Sequence, residues 1–211
     1  MRLTRIVGDT GDADPAVLAV LASYASGEAT EHAVLTAVAA SRLLVPVVAV
    51  VAEVNPDGTE QETEMALPTL VGNDGRKAVI AFSGMSALRS WRPDARPIPV
   101  PAPRLWPAAV AEADAVVVDI AGPVPLVIEG ARLRALANGE PPPHAHEDPD
   151  IRALVAEVVA GFTLEPGGPA ADLVIFLRTA DMAAARAVAG QLAPRLRPRL
   201  RRGIEIRTAS R

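Results

Sequence analysis

The chain contains no cysteine. Disulfides, thiolate nucleophiles and cysteine-ligated metal centres are therefore excluded. Aromatic residues are scarce, at 3% of 211 residues, while half of all residues are hydrophobic. A core must then be built from Val, Ile, Leu and Ala. Lysine occurs once, at Lys77, and histidine three times, at His32, His144 and His146. Any reaction would rest on hydroxyls, carboxylates, arginines or those three imidazoles. Long unbroken apolar runs are missing as well. The longest are too short and interrupted to span a bilayer, and residues 1–15 lack the apolar segment of a signal peptide. The expected location is the cytoplasm, without membrane contact. The net charge of -4 argues against nucleic acid as the default partner. Abundant Ala, Pro and Arg beside a single Lys read as high-GC bacterial residue usage.

What is present points to an α+β protein: a mixed sheet flanked by helices, followed by a small C-terminal α-β-β-α-β unit. The length suits one good domain or two small ones. Asp14 before Pro15 sets a cap and a first helical residue, and Val17, Leu18, Leu21 and Tyr24 recur at helical spacing. Thr30 caps a second helix carrying Val34, Leu35 and Val38. Residues 43–51 (LLVPVVAVV) read as a strand, with Pro46 confined to an edge or bulge. Residues 53–64 are an acidic loop. Two strands, 65–71 and 76–82, flank Gly72-Asn73-Asp74-Gly75 as a hairpin. A short helix ends at Trp91, 96–101 (RPIPVP) is an edge segment, and 104–113 is helical. Strands at 115–120 and 124–129 precede a helix at 131–137. The proline-rich stretch 138–149 (NGEPPPHAHEDP) cannot continue any element. The expected units are 1–140, a linker at 141–149, and 150–211.

Several groups carry residue types suited to chemistry. His144, His146, Glu147 and Asp148 could ligate a metal, but a proline-rich linker offers no scaffold to fix geometry, so a solvated linker is expected. Asp9, Asp12 and Asp14 lack the glycine and terminal Glu of a calcium loop and read as an acidic turn ending in a helix cap. Glu60, Glu62 and Glu64 read as a charged face that discourages strand pairing. The 72–75 turn lacks the strand and helix context of a phosphate loop. Asp119 ends a buried strand, where α/β proteins often place function; a carboxylate capping the following turn explains it equally well. His32 reads as a surface or packing residue of its helix.

Two clusters stand out. Trp91, Arg92, Asp94 and Arg96 form an interface candidate, a tryptophan anchor with a charged rim. The competing reading puts Trp91 in the core beside a local Arg92–Asp94 salt bridge. Near the C-terminus, Leu192, Leu196 and Leu200 mark one helical face and Arg195, Arg199 and Arg202 another. Those arginines are an anion-binding candidate, or a face that pairs with the acidic first module.

The central stretch resembles the N-terminal domain of the SseB family. The resemblance is carried by SRLLVPV at 41–47, DGRKA at 74–78, AFS at 81–83, WRPDARP at 91–97 and DIAGP at 119–123, in order and at matching spacing. It covers roughly residues 31–137. It implies an α+β binding domain without an assigned reaction, often followed by a second C-terminal domain. The family's name is shared with a secreted translocon component, a role not carried over to a chain with no visible secretion signal. The expectation is a non-enzymatic binding or scaffold protein acting through protein–protein contact, with no catalytic residue, metal or cofactor assigned. Its partner is another protein of unknown identity, and homo-oligomerisation stays open. The competing expectations are a small carboxylate-dependent hydrolase or transferase centred on Asp119, and anion or nucleic-acid binding through the C-terminal arginines.

Overall fold

The computed structural model describes residues 9–47 and 68–209. The expectations for 48–51, the acidic loop and Glu60, Glu62 and Glu64 lie outside the described residues. The elements run α1 (Pro15–Ala25), α2 (Glu31–Ala39), β1 (Arg42–Val47), β2 (Thr69–Val71), β3 (Lys77–Ala81), α3 (Met85–Trp91), β4 (Arg96–Pro101) and α4 (Ala102–Glu112). Then come β5 (Ala115–Val118), β6 (Leu126–Glu129), α5 (Gly130–Ala137), α6 (Pro149–Ala156), β7 (Phe162–Pro166), β8 (Leu173–Leu177), α7 (Met182–Leu196) and β9 (Ile204–Thr208). The fold is α+β, and the C-terminal stretch has the expected α-β-β-α-β order.

Local chemistry starts the helices where the sequence signals them. The Asp14 carboxylate accepts from the Ala16 amide at 2.8 Å, and Thr30 Oγ1 accepts from the Ala33 amide at 3.3 Å. Each satisfies an amide that the helix itself leaves unbonded. Two further caps, Asp148 on α6 and Asp181 on α7, follow the same rule.

The sheet is assembled in two parts. One has the order β2-β3-β5-β6, with β3 and β5 parallel and the outer pairs antiparallel. The other is an antiparallel pair, β1 and β4, in which Pro46 sits opposite Pro97. Prolines cannot donate to a ladder, so β4, with three of them, lies at an edge. Among the described residues the two parts join at a single bridge, where Leu44 and Phe82 exchange both backbone hydrogen bonds at 2.8 Å.

One face of this sheet, through Leu43, Val45, Val79, Ala81, Val116, Val118, Leu126 and Ile128, packs on α1, α2, α4 and α5. Trp106 of α4 is buried there and donates from Nε1 to the Ala39 carbonyl at 3.1 Å. A separate cluster holds the C-terminal unit, with β7, β8 and β9 against α6 and α7. Leu192, Leu196 and Leu200 all lie in that cluster, as their spacing predicts. No helix among the described residues is long and apolar enough to cross a membrane.

Candidate interaction site

Side chains alternate across a strand, so the second face of the sheet presents its own rows. The register aligns Leu70, Ala78, Ala115 and Glu129 in one row, and Ile80, Val117 and Val127 in the next. Among the described residues, a helix covers one end of this face. There α3 lays Leu88 and Trp91 over Leu44, Ile80 and Phe82. At the other end Val127 remains 44% exposed, and a shallow groove of about 580 Å³ runs along Leu70, Val117 and Val127. Central parallel strands are ordinarily covered on both faces, so this half-covered face is the clearest surface feature of the N-terminal part.

Trp91 stands at the covered end. It is half-buried, its ring 5.5 Å from that of Phe82 and tilted by 35°. The Arg92 guanidinium lies over the indole, 5.0 Å from the centroid. No Arg92–Asp94 salt bridge forms; the cation takes the aromatic face instead. Arg92, Asp94 and Arg96 are all exposed. The tryptophan therefore contributes one side to the small core and leaves the other at the surface. Sequence reasoning missed Arg89, in the last turn of α3 and exposed. Its place in the last turn of the helix that ends at Trp91 was the available signal. Neither Arg89 nor Arg96 has a carboxylate partner among the described residues.

The C-terminal arginines are placed differently. Arg195 pairs with Glu157 at 2.5 Å, and Arg202 grips Asp172 at 2.8 Å. Arg199 reaches both Glu31, at 3.2 Å, and Asp148. Each is committed to a different acid, so the structure does not bring the three together.

Arg199 belongs to a buried cluster of four charges. Arg132 of α5 donates to Glu31 Oε1 at 2.6 Å and lies 4.0 Å from Asp148. Burial pushes the Glu31 carboxyl up, against the pull of Arg132 and Arg199. Burial also pushes Arg132 down. For Arg199 burial works the same way, but Glu31 and Asp148 outweigh it and hold the guanidinium above its ordinary value. The cluster ties α2, α5, the start of α6 and the end of α7 to one another.

Asp119 follows β5 at a positive φ of 54°. Its carboxylate accepts from the Ser83 amide at 2.8 Å and from Ser83 Oγ at 2.7 Å. The two residues close the C-terminal ends of the adjacent parallel strands β3 and β5. Burial raises the Asp119 carboxyl, and the two Ser83 bonds offset this only in part. Both oxygens are engaged, which is the arrangement of a turn clamp.

The linker histidines are not simply solvated. His144 stacks on His32 at 3.7 Å, and Pro142 and Asp148 on either side are buried. The stretch lies against α2 through the His144 ring and the Pro142 and Pro143 carbonyls, which meet His32, where an isolated sequence offers no sign of a docking surface. No group of three or more His, Cys, Asp or Glu residues among the described residues is placed to hold a metal ion.

No curated protein and no solved structure matches the chain. The family described as SseB protein N-terminal domain matches residues 16–135. That span runs from α1 through all but the end of α5 and includes the whole Trp91 corner. Together with the helix-backed mixed sheet, this match places the chain in the SseB family.

Proposed function

We propose that this chain is a non-enzymatic binding protein that docks an acidic segment of another protein on the outer face of its mixed sheet. The observation that carries the reading is the Trp91 corner. A half-exposed indole sits under Arg92, and the exposed Arg89 and Arg96, close to it in the chain, have no carboxylate partner among the described residues. The chain as a whole is acidic, so a locally basic corner around an aromatic anchor favours a negatively charged partner. Asp94 at the rim would select for register, and the groove along Val117 and Val127 offers apolar area for the rest of the segment.

The test is photo-crosslinking from position 91 in the native host, with native mass spectrometry of the purified complex. An acidic partner whose crosslinks map to the 80–127 face supports the reading. Loss of that partner in Arg96→Glu, with the circular dichroism spectrum unchanged, supports it further. A partner crosslinked from elsewhere and indifferent to Arg89, Arg92 and Arg96 would overturn it.

A further inference from the structure

All three histidines of the chain meet in one place. His32, the second residue of α2, stacks on His144 with ring centroids 3.7 Å apart and planes 24° from parallel. His146 continues the column, 5.7 Å from His144 at 28°. The column stands between α2 and the stretch 141–148 that leads into α6. His32 is half-buried, and its Nδ1 is out of contact with solvent and without a hydrogen-bond partner. Imidazole lone pairs lie in the ring plane, so stacked rings do not direct them at a common point. Stacking at this distance instead requires that neighbouring rings not both be charged, because two imidazolium ions so close repel strongly.

The surrounding charges do little to relieve that repulsion. On the linker, Glu147 lies 3.7 Å from His146 Nε2 and is largely exposed. It also favours a proton on His32, as do the carbonyls of Pro142 and Pro143. Burial, followed by the neighbouring His144, prevails and holds His32 below its ordinary 6.5. On α2 itself, Glu31 is committed to Arg132 and Arg199, and Asp148 is drawn toward the same two arginines. Helix α1, packed on α2, has no charged side chain. Helix α4 carries Arg104 and Glu112, both exposed.

We propose that the His32–His144–His146 column is a proton-sensitive latch that holds the linker, and through it the C-terminal unit, against α2. At neutral pH the uncharged His32 ring stacks on His144. When His32 takes up a proton its stacked place becomes unfavourable and residues 141–147 leave α2. Asp148 follows directly in the chain. It caps α6 and contributes to the buried cluster shared with Glu31, so release of the linker loosens the attachment of the unit beyond it. The sign follows from the lowered His32. A group depressed in the docked state favours docking above its ordinary value and withdraws that support as pH falls through the lowered one. Glu31 has the opposite sign: burial raises it, so acidification tightens its contribution. A loosening at mildly acid pH is therefore assignable to the histidines.

The experiment is hydrogen exchange on the full chain at about pH 7.5 and about pH 5.5, corrected for intrinsic rates. The amides of 141–151 should exchange roughly fivefold or more faster at the lower pH, while β8 stays protected. In the His32→Gln/His144→Gln variant the pH response of that stretch should disappear. Should that variant not fold, His144→Gln alone serves, because His144 is exposed. Its removal should move the His32 titration upward by NMR. Exchange of 141–151 that ignores pH in the parent chain, a response that persists in the double variant, or a His32 titration unmoved by His144→Gln would each overturn the latch.

Discussion

Glu31 and Arg132 meet at 2.6 Å with both side chains withdrawn from solvent, one from the first residue of α2 and the other from α5. A buried pair of this kind is costly to break on one side only. Arg132→Met should lower stability by about 3–5 kcal/mol, because Glu31 keeps its charge and loses its closest partner. Glu31→Gln together with Arg132→Met should recover much of that loss. Urea unfolding of the single and double variants checks both, and equal losses in the two would remove the pair from the account.

Asp119 should make the protein respond to pH in the acid range. Its carboxyl is raised by burial, so the ionised form is disfavoured in the folded state. A raised group contributes stability that is full below its unfolded value and declines as pH rises through the folded one. Asp119→Asn retains a side chain that tolerates the positive φ and can still bond Ser83. It should keep the fold and flatten the pH–stability curve in that range. Asp119→Ala should cost about 1–3 kcal/mol, since the Ser83 amide and hydroxyl lose their acceptor in a buried place. Thermal melts across an acid pH series distinguish the two variants.

Gly130 begins α5 at a φ of 59° with the Asp150 carboxylate against its backbone. A side chain at this position would overlap Asp150, which accepts from the Ala131 amide at 2.7 Å and so caps α5 from α6. Gly130→Ala should therefore cost about 1–2 kcal/mol through strain and the displaced cap together. Hydrogen exchange should place the loss at the start of α5.

The two tryptophans should separate cleanly. Trp106 is fully buried and hydrogen-bonded to Ala39, so Trp106→Ala should lose about 3–5 kcal/mol. Trp91 is half-buried, and Trp91→Ala should lose clearly less while abolishing partner capture. If chemical denaturation ranked them equally, Trp91 would belong to the core alone.

The sequence reveals most of the elements, because the signals that mark them are local. Asp14-Pro15, Thr30 and the 72–75 turn act within a few residues, and the structure starts or reverses the chain at each. The proline-spaced segment 96–101 becomes an edge strand for the same reason. What the sequence hides is long-range pairing. Nothing near His144 announces His32, more than a hundred residues earlier. Nothing near Arg199 announces Glu31. Arg195, Arg199 and Arg202 read as an anion-binding face until the fold brings Glu157, Glu31 with Asp148, and Asp172 to them. The Trp91 corner was legible in part. Its residues were visible as a cluster, but Arg89 and the cation–π seat of Arg92 depend on where α3 lies over the sheet.

The single Leu44–Phe82 bridge has a mechanical consequence. Among the described residues, β4-β1 and β2-β3-β5-β6 share backbone hydrogen bonds at this one place, and elsewhere they are joined by the side chains that both send into a common core. Phe82 stands on that seam, and Trp91 rests on it. A segment bound at that corner would bridge the seam and brace it. Occupancy would then be felt as a change in stiffness across the whole N-terminal part, even where no side chain touches the bound segment.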